Sequence, residues 1–324
     1  MTAGTKDTFT IYHEQFHAGY TETLTQETDA FNAASRNCIR LVTQNKLGDY
    51  EKLSFFTTIS GLVIRRDPSS LSAASDLDLT TSELASVKLN RTIGPIVKTL
   101  DALKKIGSGQ AAMSFVLGQQ TAKAVLVDML NSAIRALVAS LTQTTAVLYD
   151  VSGSGIVTHS VLSTGKGKLG DAMNRIACWV FHSKVYTSLE GQAITDKITN
   201  VADGVIMIGR LGTLGIPFIV TDAAPLVVAG TPSHYNTLGL VPDAAAIVES
   251  EERSIVTEGP ITGKANLYYR VQGELAYNLG VKGYTYDYGS TGANPTDANV
   301  ATSSNWDKVC SDNKDGPGVI IHSQ

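Results

Sequence analysis

The sequence predicts an α+β fold, on three observations. A long stretch from Gln110 to Leu141 carries apolar residues at helical spacing. Two β-branched runs, 61–66 and 85–91, suggest a hairpin. Strand and helix patterns alternate from 146 to 249, and strands and turns dominate from 255 onward. The chain has 324 residues, 43% of them hydrophobic, so it exceeds one average domain and has ample material for a packed core. Only 17% of residues are charged, which suits broad neutral surfaces between subunits better than a freely soluble monomer.

The first 45 residues are polar and Thr-rich. Within them Phe31, Ala34, Cys38, Leu41 and Val42 recur at three- and four-residue intervals, predicting a helix with one narrow stripe that lies along another surface. The runs GLVIRR and ASVKLNR should form the sides of a long hairpin, joined by the polar stretch DPSSLSAASDLDLTTSE. Its stems are basic (Arg65, Arg66, Lys88, Arg91), and a two-stranded ribbon has too little core to stand alone, so it should rest on another surface. Next comes the long helix, whose face includes Met113, Leu117, Val127, Leu130, Ile134, Leu137 and Leu141. Lys123, Asp128 and Arg135 argue against its crossing a membrane. Beyond it, AVLYDV, VIMIG and FIVTD read as strands and GDAMNRIACWVFHSKVYTSLEG as a helix. ANLYYRVQGELAY, VKGYTYDYG and GVIIHSQ supply further strands.

The formal net charge of −4 lacks the basic stripe of a phosphate-neutralising DNA reader. Cys38, Cys178 and Cys310 are widely spaced with no C-x-x-C, which predicts reduced thiols in a cytoplasmic setting rather than a disulfide framework. No signal peptide is evident.

HEQFH, residues 13–17, satisfies the zinc-protease pattern H-E-x-x-H, in which His13 and His17 would hold the metal and Glu14 activate water. Only twelve residues precede it, Gly19 follows closely, and no third ligand has a recognisable spacing, so it reads as a solvated polar segment of an arm. Asp171, His182 and Ser183 do not make a triad: on one helix Asp171 and His182 would stand three turns, roughly 16 Å, apart. STGKGKLG, residues 163–170, fails the phosphate-loop pattern and reads as a surface loop. No catalytic residue, cofactor site or metal site is assigned.

TTISGLVIRRDPSS and LASVKLNRTIGPI resemble the two sides of the extended loop in the Hong Kong 97-like major capsid proteins of tailed bacteriophages. LGDAMNRIACWVFHSKVYTSLEGQAI resembles that family's helix with its HS-x-V-Y signature, and GRLGTLGIPFIVTD and NPTDANVATSSNWDKV resemble segments that follow. The resemblance spans essentially the whole chain. It implies an N-terminal arm (1–49), an extended loop and its return (50–107), a peripheral domain with a spine helix (108–145), an α/β axial domain (146–249), and peripheral strands with a C-terminal segment (250–324). It also implies self-assembly into hexamers and pentamers of an icosahedral virion shell, built in the host cytoplasm around double-stranded DNA that is not read by sequence. Unlike the founding member, the chain shows no long cleavable N-terminal extension, so a separate scaffolding protein is expected, with portal and decoration proteins as further partners. The founding member's Lys–Asn cross-link has only Lys88 and Asn90 as candidates here.

Charge segregation suggests how neighbours meet: Arg65, Arg66, Lys88 and Arg91 of one subunit against Glu249, Glu251 and Glu252 of the next. The alternative readings are an encapsulin-type compartment enclosing cargo enzymes and a zinc-dependent hydrolase using HEQFH.

Overall fold

The structure, a computed structural model, describes residues 6–42, 52–56, 68–69, 81–99, 110–153, 155–195, 207–210, 216–249 and 254–324. Two long helices form its helical layer: α1 (Lys6–Ala34) and, further along the chain, α2 (Gln110–Gln143). Phe16, Tyr20, Leu24 and Phe31 line the buried side of α1. The two helices touch backbone to backbone through glycines. A Cβ on Gly118 would lie 2.3 Å from Phe16 O, and one on Gly19 would lie 2.5 Å from Phe115 O. HEQFH is therefore part of a docked helix, not of a solvated arm segment, because Phe16 at its centre is an anchor of this contact. The described residues contain no group of three potential metal ligands, and the His13 side chain lies outside them.

The helix expected to run through Leu41 and Val42 stops at Ala34. Arg36 and Asn37 adopt left-handed φ values of 53° and 56°, and the Asn37 N–H returns to Asn32 O at 2.9 Å, closing the helix end. The side chain of Asn32 then holds the emerging strand β1 (Ile39–Val42): its Nδ2 donates to Leu41 O at 2.7 Å and its Oδ1 accepts from Leu41 N–H at 2.9 Å. Cys38 and Leu41 are buried as predicted, but from a turn and a strand.

The hairpin differs from the expected one. Strands β2 (Lys52–Phe56) and β3 (Thr81–Ala85) pair antiparallel with Lys52 opposite Ala85, whereas 61–66 lies outside the described residues. Residues 87–91 belong instead to β4 (Val87–Thr99), which runs along a different partner. After α2 come β5 (Leu148–Asp150), α3 (His159–Gly167), β6 (Cys178–Phe181), α4 (Ser183–Thr195), β7 (Met207–Arg210), β8 (Pro217–Val220), β9 (Val227–Val228), β10 (His234–Leu240) and β11 (Ala245–Glu249). The chain closes with β12 (Ser254–Ile261), β13 (Tyr268–Val281), β14 (Tyr284–Tyr286), α5 (Tyr288–Thr291), α6 (Asp297–Ala301), β15 (Trp306–Lys308) and β16 (Gly318–Ser323).

These strands make two mixed sheets. The first follows β1-β11-β13-β14-β15, with β12 and β4 also paired to β13; the second follows β5-β16-β10-β6-β8-β7, with β9 paired to β10. Strand β13 is the axis of the first sheet, because β4 pairs with it from Thr99 opposite Tyr268 to Val87 opposite Leu279. The sheets do not divide at residue 249. Strand β11 crosses into the first sheet, and β16, from the far end of the chain, returns to pair with β10 in the second.

In the second sheet CWVF forms the wholly buried strand β6, which splits the helix predicted from Gly170 into a short 3-10 turn (Gly170–Arg175) and α4, which begins at Ser183. A short apolar run of aromatic and branched residues buried on both faces mimics helical spacing, which explains the difference. Trp179 lies over Gly239, where a Cβ would be 2.7 Å from the indole ring, and stacks on Phe181. STGKGKLG begins in α3 rather than in a surface loop, and a Cβ on Gly165 would meet Ile321 at 2.6 Å.

Candidate functional site

The most concentrated polar chemistry lies where α2 crosses the first sheet. Period-two alternation puts Leu89 and Arg91 of β4 and Leu275 and Tyr277 of β13 on one face. From α2, Asp128, Ser132 and Arg135 descend at helical spacing. Arg91 Nε donates to Asp128 Oδ2 at 2.8 Å, and its Nη2 donates to Asp297 Oδ1 at 2.7 Å and to Ser132 Oγ at 3.3 Å. Arg135 Nη1 reaches the other Asp297 oxygen at 3.1 Å, and the Tyr277 hydroxyl donates to Asp128. Asp297 is also the first residue of α6, where a carboxylate complements the helix N-terminus.

Burial works against the charge on Arg91, but the hydrogen bonds and charges of Asp297 and Asp128 outweigh it, so the guanidinium is held in its charged form. Burial also opposes ionisation of Asp297, yet the hydrogen bond and charge of Arg91, with help from Arg135, keep its carboxyl below the usual range. Burial first, then Asp128, pushes the Tyr277 hydroxyl up, keeping it a donor. The junction holds protons fixed. It ties β4, β13, α2 and α6 together.

Of the residues expected to face a neighbour, Arg91 is thus engaged by Asp128 and Asp297 of its own chain. Lys88 and Glu249 are each at most 5% exposed. They lie on opposite faces of the sheet, since Lys88 pairs with Asn278 and Glu249 with Tyr277. Arg65, Arg66, Glu251 and Glu252 lie outside the described residues.

The HS-x-V-Y stretch docks the N-terminus of α4. The Asp222 carboxylate, just after β8, accepts a hydrogen bond from the Ser183 backbone N–H at 3.4 Å and stands 3.5 Å from His182 Nε2; Ser183 and, more weakly, His182 hold its carboxyl below the usual range. Val185 is buried and Tyr186 stacks on Phe218 with centroids 5.1 Å apart. The carboxylate takes both partners, whereas a nucleophilic triad needs the imidazole between serine and acid. Asp171 is elsewhere, paired with Lys314 at 2.6 Å.

The family model for Gp13-like proteins, described as major capsid protein 13-like, matches residues 8–320. The chain belongs to this family of major capsid proteins. Among solved structures, the "Cyanophage Pam1 capsid asymmetric unit" superposes with a TM-score of 0.53 at 12% identity, covering 87% of this chain and 88% of that one. A Microbacterium phage Oxtober96 structure gives 0.52 at 10% identity, with 89% and 90% covered. Mycobacterium phage Adephagia gives 0.52 at 8% identity, with 90% and 89% covered. No curated protein matches the sequence.

The Gp13-like chain is therefore a structural head-shell protein of a tailed phage, with the Hong Kong 97-like capsid fold, and its place is the virion capsid. Sequence reasoning missed Asp128, Ser132, Arg135, Tyr277 and Asp297 as one group. A signal was present: two opposite charges seven residues apart, beside the apolar face of a helix whose other charged residue is Lys123.

Proposed function

We propose that this capsid protein self-assembles into an icosahedral shell of hexamers and pentamers that encloses double-stranded DNA without reading its sequence. Assembly takes place in the host cytoplasm, with separate scaffolding, portal and decoration proteins. The observation that carries the reading is the family match over 8–320 on a chain whose densest polar cluster serves packing. The role is structural and non-enzymatic. Segments 1–49 and 50–107 act as arm and extended loop, 108–145 and 250–324 as the peripheral domain, and 146–249 as the axial domain, with β11 lent to the peripheral sheet and β16 to the axial one.

A closed lattice built from one chain needs heterologous contacts that tolerate five- and six-fold rings. Charge pairing between Arg65 and Arg66 of one subunit and Glu251 and Glu252 of the next supplies part of them. Lys88, Arg91 and Glu249 support the frame behind those contacts. Changing both arginines to Glu should abolish particles while leaving helix content intact; normal particles from that variant would refute the pairing. The enclosed cargo is tested by nuclease protection of particles from phage-infected cells. Protected DNA of uniform length is expected, and particles filled with enzyme instead would establish the compartment reading.

A further inference from the structure

Three free thiols remain that neither the charged junction nor the assembly reading uses, and two of them lie close together. Cys38 follows the left-handed turn at Arg36 and Asn37 and leads into β1 of the first sheet, while Cys178 opens β6 of the second. Both are fully buried. One carbonyl joins their surroundings: Leu240 O accepts from Ala177 N–H at 2.8 Å and from the Cys38 thiol at 3.7 Å. Leu240 is also the direct cross-strand partner of Cys178. The Cys178 thiol donates to Trp179 O at 3.4 Å, so the two thiols flank Leu240, where the chain leaves β10 for β11 and passes from one sheet to the other. Cys310 stands apart, against Gly283.

We propose that Cys38 and Cys178 are an oxidisable dithiol that closes to a disulfide when the protein meets a hydroperoxide, covalently tying the first sheet to the second. One thiolate attacks the peroxide oxygen, the O–O bond breaks, and an alcohol or water leaves with a sulfenic acid formed on sulfur. The second thiol attacks that sulfur, the S–S bond forms and water leaves. The pair has then given two electrons to the peroxide. The neighbouring Cys38 thiol, and then burial, hold the Cys178 thiol well above its usual range, so the closed core resists the first step. Reaction follows opening of the short turn at Arg36 and Asn37, whose residues are exposed. A reducing interior keeps the pair open, and exposure to oxidants after release from the host closes it. That timing rests on the virion reading; the thiol chemistry does not.

The test uses the full chain, treated with hydrogen peroxide in urea just below its unfolding transition, so that the turn opens while the sheets persist. Of three thiols, one should survive, peptide mapping should recover Cys38 linked to Cys178, and the melting temperature should rise by roughly 5 °C and return on reduction. Cys310→Ala should behave the same way, whereas Cys38→Ala and Cys178→Ala should gain no link and no shift. Thiols that react with a maleimide in the same urea yet yield no Cys38–Cys178 peptide after peroxide would overturn the proposal. Failure of the chain to form shells would leave each of these readouts unchanged.

Discussion

Replacing Gly118 by Ala should destabilise the protein, although the same change in an open helix stabilises it. In a helix interior Ala is favoured over Gly by about 1 kcal/mol. At Gly118 the added methyl would lie 2.3 Å from Phe16 O, a backbone atom that moves only if the helix moves. Restoring ordinary contact requires α1 and α2 to separate by roughly 1 Å, and a gap of that size forfeits a quarter to a half of the dispersion attraction across it. Phe16, Tyr20 and Leu24 are each at most 2% exposed at this contact. Their burial is worth about 2–3 kcal/mol apiece, so the loss is about 2–4 kcal/mol. After the propensity gain, Gly118→Ala should cost about 1–3 kcal/mol. Gly191 in α4 is the control: nothing lies within 4 Å of its Cβ position, so Gly191→Ala should stabilise by up to about 1 kcal/mol. Urea denaturation of the unassembled chain, followed by circular dichroism, reads both. Gly118→Ala matching or exceeding the parent in stability would refute the close helix contact.

Other outcomes follow from the same frame. Asn32→Ala removes both hydrogen bonds to Leu41 and should cost about 2 kcal/mol by urea denaturation. Arg91→Met leaves Asp128 and Asp297 without their shared cation. Because those carboxylates are 42% and 44% exposed, solvent screens the loss to about 2 kcal/mol, and Asp297→Asn should be sub-additive with it in a double-mutant cycle. His322 is held below its usual 6.5 mainly by burial, with Asp150 opposing and His234 assisting. The unfolded chain then binds more protons, so its contribution is complete above pH 6.5 and is lost as pH falls below it. Melting temperatures should drop between pH 7.5 and 5.5, and His322→Gln should flatten that drop; an unchanged slope would exclude His322 as its source.

Long periodic elements were legible in the sequence. The long helix extends to Gln143, and ANLYYRVQGELAY lies largely in β13, because in both cases one period persists long enough to dominate. Short elements misled where two periods coincide. Cys38 and Leu41 sit at helical spacing from Phe31, yet two left-handed residues intervene, and CWVF is too short and too uniformly apolar to declare its period. The return side of the hairpin was placed too late, since β-branched content marks strands without naming their partners: Thr81–Ala85 pairs with β2, and β4 prefers β13. The charged junction depends on residues from four elements, so only its α2 stripe was visible locally. HEQFH shows the converse: a local pattern can match a chemistry while its central Phe16 serves helix packing.

Sedimentation velocity of the purified chain, with negative-stain microscopy of the same sample, tests assembly most directly. Closed shells whose facets show rings of five and six subunits are predicted. A compact monomer that stays monomeric with scaffolding protein or crowding agent, and that carries stoichiometric zinc, would contradict it.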